Sequence, residues 1–267
     1  MKWKLGSLVL VFLFLAGCTA SQGTQAPVPV PAELSIEEHA LARPPEAEYS
    51  QLYFAESTPE GILAKHADER SQANDARSQS CSNIDKLDAE CTRSGQDELS
   101  AWTEFGINLI GTGKVIVTSN QKQIYSIKVG DSSPIDSLRG LWAYDGHWAL
   151  ETAYVKNHQH GNEIDSQATG QVSINGKLIN EQLGYQEAFG FQILHGKPFY
   201  FFKKADKIGI TYAGVEMPLG YDEVLHYGCC SAASLNPQVY ENMVAFFARK
   251  GSTWYYIEAG VFKPHSS

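Results

Sequence analysis

From residue 105 onward, apolar residues come in short runs broken by Gly and Asn, and no long stretch carries a helical period. Runs rich in β-branched and aromatic residues between turn formers predict strands. Residues 115–118, 123–129 and 147–155 are such runs. Residues 173–179 hold Asn175-Gly176 between apolar flanks, the signature of a tight hairpin turn. The pattern predicts an all-β body over 105–264.

That body is similar to itself. Leu183-Gly184-Tyr185-Gln186-Glu187 matches Leu219-Gly220-Tyr221-Asp222-Glu223, and each follows a hairpin pattern, at 172–182 and 210–218. Downstream of each comes an aromatic strand, a Gly turn and a second aromatic strand, at 189–202 and 243–257, with a more degenerate copy at 138–151. The turn glycines Gly146, Gly196 and Gly251 stand roughly 50 residues apart. Two hairpins in that length resemble a β-propeller blade in architecture. The resemblance implies about three four-stranded repeats in a partial, propeller-like arrangement. A β-trefoil or a β-prism of three sheets is the rival. Glu187 and Glu223 recur at matching positions, which suggests a structural role such as a bond to backbone at a corner.

The first residues have a different texture. Lys2 and Lys4 precede an apolar run over 8–16, and Gly17 and Cys18 follow. The run falls short of the roughly 20 apolar residues of a membrane span and has the layout of a secretory signal peptide. Leu15-Ala16-Gly17-Cys18 resembles the lipobox of bacterial lipoproteins. The resemblance implies cleavage after residue 17, acylation of Cys18 and firm anchoring by two or more acyl chains. Thr19 stands where Asp would favour retention in the inner membrane. The implied location is therefore extracytoplasmic: the outer membrane of a Gram-negative host, otherwise the outer face of the cell membrane.

Between anchor and body the chain is polar. Residues 18–48 read as a lipid anchor and Pro-rich linker, with a short helix at 35–42 suggested by the capping box of Ser35 and Glu38. Thr58-Pro59-Glu60 predicts a helix over 59–77, and residues 49–104 read as a polar, partly helical segment, weakly helical and facing solvent over 66–98. The net charge of −9 becomes −11 once Lys2 and Lys4 are removed with the signal. That balance argues against nucleic acid as a partner.

In an oxidising compartment Cys81, Cys91, Cys229 and Cys230 are expected in disulfides, Cys81–Cys91 being the shorter loop to close. Redox or metal chemistry at Cys229-Cys230, near His226, is the alternative. The sequence assigns no metal site, the nearest candidates being His158 and His160 with Asp165 on a predicted surface loop. A Gly-x-Ser-x-Gly elbow and phosphate-binding glycine loops are absent, and no cofactor is indicated. Trp142, Trp148, Tyr185, Tyr221 and Trp254 are candidate ligand-binding aromatics, with a core role as the alternative.

These observations favour a lipid-anchored, non-catalytic envelope protein whose β domain binds a protein, peptide or glycan. An extracytoplasmic hydrolase is the rival, and a purely structural envelope component a third reading. An enzyme should gather unlike polar residues from several repeats, whereas a binder should expose an apolar patch.

Overall fold

The computed structural model describes residues 30–42, 44–45, 65–74, 79–80, 86, 89–105, 113–131, 136–161, 163–227 and 236–262. The described part is all-β, as the sequence predicts. It begins with β1 (Ser35–Ala40) and a single helical turn, α1 (Ala67–Arg70). A nine-stranded sheet holds β2 (Gln79–Ser80), β3 (Glu90–Ser94), β4 (Asp97–Glu104), β5 (Gly113–Ser119), β6 (Lys122–Gly130), β7 (Leu138–Tyr144), β8 (His147–His160), β9 (Glu163–Ile174) and β10 (Lys177–Leu178). A short helix, α2 (Ile179–Leu183), leads into a four-stranded meander of β11 (Glu187–Leu194), β12 (Lys197–Lys204), β13 (Lys207–Tyr212) and β14 (Val215–Tyr221). The third sheet joins β1 to β15 (Glu223–Val224), β16 (Gln238–Val239), β17 (Met243–Lys250) and β18 (Thr253–Gly260).

The meander is the middle layer, and its sequence explains why. A strand buried on both faces cannot alternate apolar with polar. In β12, Phe199 and Phe201 pack against Val244, Phe246 and Ile257 of the third sheet. Tyr200 and Phe202 point the other way, into a core with Trp142, Ala149 and Val172 of the large sheet. The large sheet curls on itself around Leu99, Val115, Val117, Val129, Leu141 and Leu150. Its two halves meet at one parallel pair, Gly130 with Val155, where a Cβ on Gly130 would lie 2.0 Å from the Val155 carbonyl oxygen.

The three recurring hairpins are β7–β8, β11–β12 and β17–β18, joined by two-residue turns at 145–146, 195–196 and 251–252. The strands are nevertheless not shared out in equal units. The three sheets hold nine, four and five strands among the described residues. Only the meander is a separate four-stranded sheet, because β8 and β9 continue past their repeat and extend the first sheet.

Four local expectations are corrected. Residues 35–40 form strand β1 instead of a helix, because the free edge of β18 offers a ladder that a capping box cannot match. The polar region before 105 contributes β3 and β4 to the large sheet and buries His66 and Glu69, so it is not a solvent-facing helical segment. Of the helix expected over 59–77, the described residues contain only α1, while 59–64 and 75–77 lie outside them. At 172–182 the Asn175-Gly176 turn forms, but β10 gives way to α2 after two residues.

Candidate functional site

A cavity of about 380 Å³ opens where the large sheet, the meander and the segment after β15 come together. Arg139 and Trp142 of β7, Glu151 of β8 and Gln192 of β11 line it, and His226, Tyr227 and Pro237 close it. Its polar groups thus come from strands far apart in sequence.

A β-bulge builds its centre. The β11–β12 register shifts between Phe189 and Gln192, so Gly190 and Phe191 leave the ladder. Gly190 adopts a φ of 62°, and a Cβ there would meet the Phe201 ring at 2.8 Å. The two released N–H groups donate to Glu151, Gly190 N to Oε1 at 3.0 Å and Phe191 N to Oε2 at 2.7 Å. The Tyr227 hydroxyl donates to the same Oε1. Glu151 is only 3% exposed, so these donors replace the water that its charge has lost. The guanidinium of Arg139 lies over the Tyr227 ring, 4.8 Å from its centroid. Burial, and then the charge of Glu151, pushes the Tyr227 hydroxyl well above 10.0.

His226 stacks on Phe189 with ring centroids 3.7 Å apart. Its Nδ1 lies 2.7 Å from the Val224 carbonyl oxygen, and its Nε2 lies 3.1 Å from Glu187 Oε1. Each ring nitrogen of His226 thus has a protein oxygen within hydrogen-bond reach. Glu187 also accepts from Gly170 N at 2.8 Å, the bond to backbone expected of it. Glu223 instead accepts from Arg249 Nε at 3.0 Å. Asn236 fixes the far wall, accepting from Phe247 N at 2.7 Å and donating to Leu225 O at 2.6 Å.

Of the candidate aromatics, Trp142 lines the cavity and tilts against Phe191. Tyr185 is buried, stacked on Phe202, and donates to Glu216 at 2.8 Å. Tyr221 is fully buried and donates to Glu38. Trp148 rests half-buried against Tyr125, and Trp254 packs beside Phe247 and Tyr256. His158 and Asp165 are exposed cross-strand neighbours on the β8–β9 arm, with His160 beside them at its tip. Cys91 lies on β3, while Cys18, Cys81, Cys229 and Cys230 lie outside the described residues.

Arg139, Glu151 and Gln192 escape a sequence reading. Glu151 sits in an apolar strand run, and its partners are supplied by a bulge and a loop remote from it. Trp142, a candidate ligand-binding aromatic, together with His226 and the repeated Glu187, was the legible signal near the site. No helix among the described residues is long and apolar enough to cross a membrane. No family model, curated protein or solved structure matches the chain.

Proposed function

We propose that this chain is a lipid-anchored envelope protein, held through Cys18, whose β domain binds a small polar ligand in the cavity. The single observation that carries the binding role is the convergence of Arg139, Trp142, Glu151, Gln192 and Tyr227 on one concave space of about 380 Å³. That volume lies at the small end of known ligand sites and suits a sugar unit or a short peptide end. An aromatic wall with a few fixed polar groups is the chemistry that recognises either. The lipobox and Thr19 support an extracytoplasmic site, in the outer membrane of a Gram-negative host or on the outer face of a single membrane. The three matching hairpins support descent from a repeated two-hairpin unit.

The gathering of unlike polar residues also favours a second reading, an extracytoplasmic hydrolase. Against it, both oxygens of Glu151 and both nitrogens of His226 are already occupied by partners within the protein. General acid or base work needs a group within reach of substrate and available to it. The two readings separate in saturation-transfer NMR against a panel of monosaccharides, disaccharides and di- and tripeptides. A binder gives saturation transfer to one class of probe and leaves it intact. Conversion of any probe establishes the hydrolase, and a wholly silent panel contradicts both.

A further inference from the structure

The antiparallel register of β1 and β18 places Glu37 directly opposite Glu258. Like charges at opposed positions destabilise a sheet unless something lies between them. Glu258 is completely buried. Its Oε1 accepts from Arg70 and from the Tyr256 hydroxyl. Its Oε2 has no hydrogen-bond partner, although burying an unmet carboxylate oxygen is costly.

That oxygen faces His66, which α1 sets against the same sheet face. His66 Nε2 lies 3.8 Å from Glu258 Oε2 and 3.5 Å from Glu37 Oε1. These separations are too long for hydrogen bonds. A zinc-class ion with bonds near 2.0–2.2 Å holds its ligand atoms about 3.4 Å apart, close to both. One ligand atom from each of the three residues falls within 4.8 Å of the others. The His66 ring is held by a stack on Phe262 at 3.7 Å, and its Nδ1 lies 3.9 Å from Glu69 Oε2. A carboxylate behind the imidazole is the outer partner that orients a metal-ligating histidine. His39 Nε2 is also buried without a hydrogen-bond partner, 3.9 Å from Glu37 Oε2.

Charge points the same way. Among the described residues, three carboxylates, Glu37, Glu69 and Glu258, face two cationic side chains, Lys65 and Arg70. Lys65 bonds both oxygens of Glu37, but its side chain is 48% exposed and can swing away. We propose that Glu37, His66 and Glu258 bind a divalent transition-metal ion of the zinc class, with water completing the coordination. The imidazole nitrogen selects against Mg²⁺ and Ca²⁺, which prefer oxygen alone. The site is distinct from the cavity, and its ligands tie β1 and α1 to β18.

The test uses the whole protein, stripped with chelator and titrated with Zn²⁺ alone by calorimetry and elemental analysis. One Zn²⁺ per chain is expected at this site, and excess Mg²⁺ should not displace it. Glu37→Gln and His66→Phe should each weaken binding roughly tenfold or more, the phenyl ring keeping the stack on Phe262. Should His66→Phe fail to fold, Glu37→Gln at its part-exposed carboxylate decides alone. Substituting the exposed His158 and His160 with Asn should leave the affinity unchanged. Failure to bind Zn²⁺, binding indifferent to Glu37→Gln, or binding lost with His158 and His160 would each overturn the assignment.

Discussion

Glu151 shows how one side chain can join two sheets. Its carboxylate satisfies two backbone N–H groups freed by the β11 bulge and the hydroxyl of Tyr227. Glu151→Ala leaves all three donors without an acceptor, so urea denaturation should show a loss of about 3 kcal/mol or more. An unchanged midpoint would mean that water replaces the carboxylate easily. The tyrosines carry a second prediction at this scale. Burial first, and then Glu38 for Tyr221, Glu151 for Tyr227 and Glu258 for Tyr256, push all three hydroxyls above their ordinary value of 10.0. The sign follows from linkage: raised folded values mean that the unfolded chain releases these protons first. Their contribution is complete below pH 10 and is lost as pH rises above it. Denaturation midpoints between pH 9 and 11.5 should therefore fall, and less steeply in Tyr221→Phe, where the phenol is removed. Little of this was legible in the sequence. Glu151 lies amid Leu150, Thr152 and Ala153, and neither bulge nor loop partner leaves a mark near it.

Elements were more legible than residues. Strand periodicity, Asn175-Gly176 and the Gly turns recur as drawn from the sequence, because two-residue turns and β-branched runs are local signals. β1 was not legible, since the ladder that makes it a strand belongs to β18, more than 200 residues away. Its Leu34 neighbour is buried in the core, and its Glu38 receives bonds from Tyr221 and Lys250. A chain starting at residue 49, past the segment read as linker, should therefore be markedly less stable than one starting at residue 30. The expected loss is about 3 kcal/mol or more, visible as a lower thermal midpoint. Equal midpoints would mean that β1 docks without contributing. The β11 bulge gives a sharper test. Gly190→Ala must accept a φ of 62° and a clash with Phe201, at a cost of roughly 2 kcal/mol or more in the denaturation midpoint.

At the scale of the whole molecule, the three sheets of the described residues enclose several cores, and a polar-lined space lies where they meet. Repeat periodicity announced the hairpins but not how they would be apportioned among sheets. That depends on β8 and β9 outgrowing their unit, and on β1 to β4 arriving from a region with no repeat. The proposed anchor belongs to this scale too. Intact mass of detergent-extracted protein should show a chain beginning at an acylated Cys18, and Cys18→Ala should yield an unacylated form. A wild-type mass without lipid would remove the membrane from the account.

The central claim is that the cavity is a binding site, and a cavity-filling variant tests it most directly. Gln192→Trp places a large ring in the space beside Trp142 and leaves the Glu151 clamp and the core unaltered. Calorimetry with the saccharide or peptide selected by NMR should show binding to wild-type protein and a loss of tenfold or more in the variant. Equal affinity in the two folded proteins would place the ligand elsewhere and contradict the account.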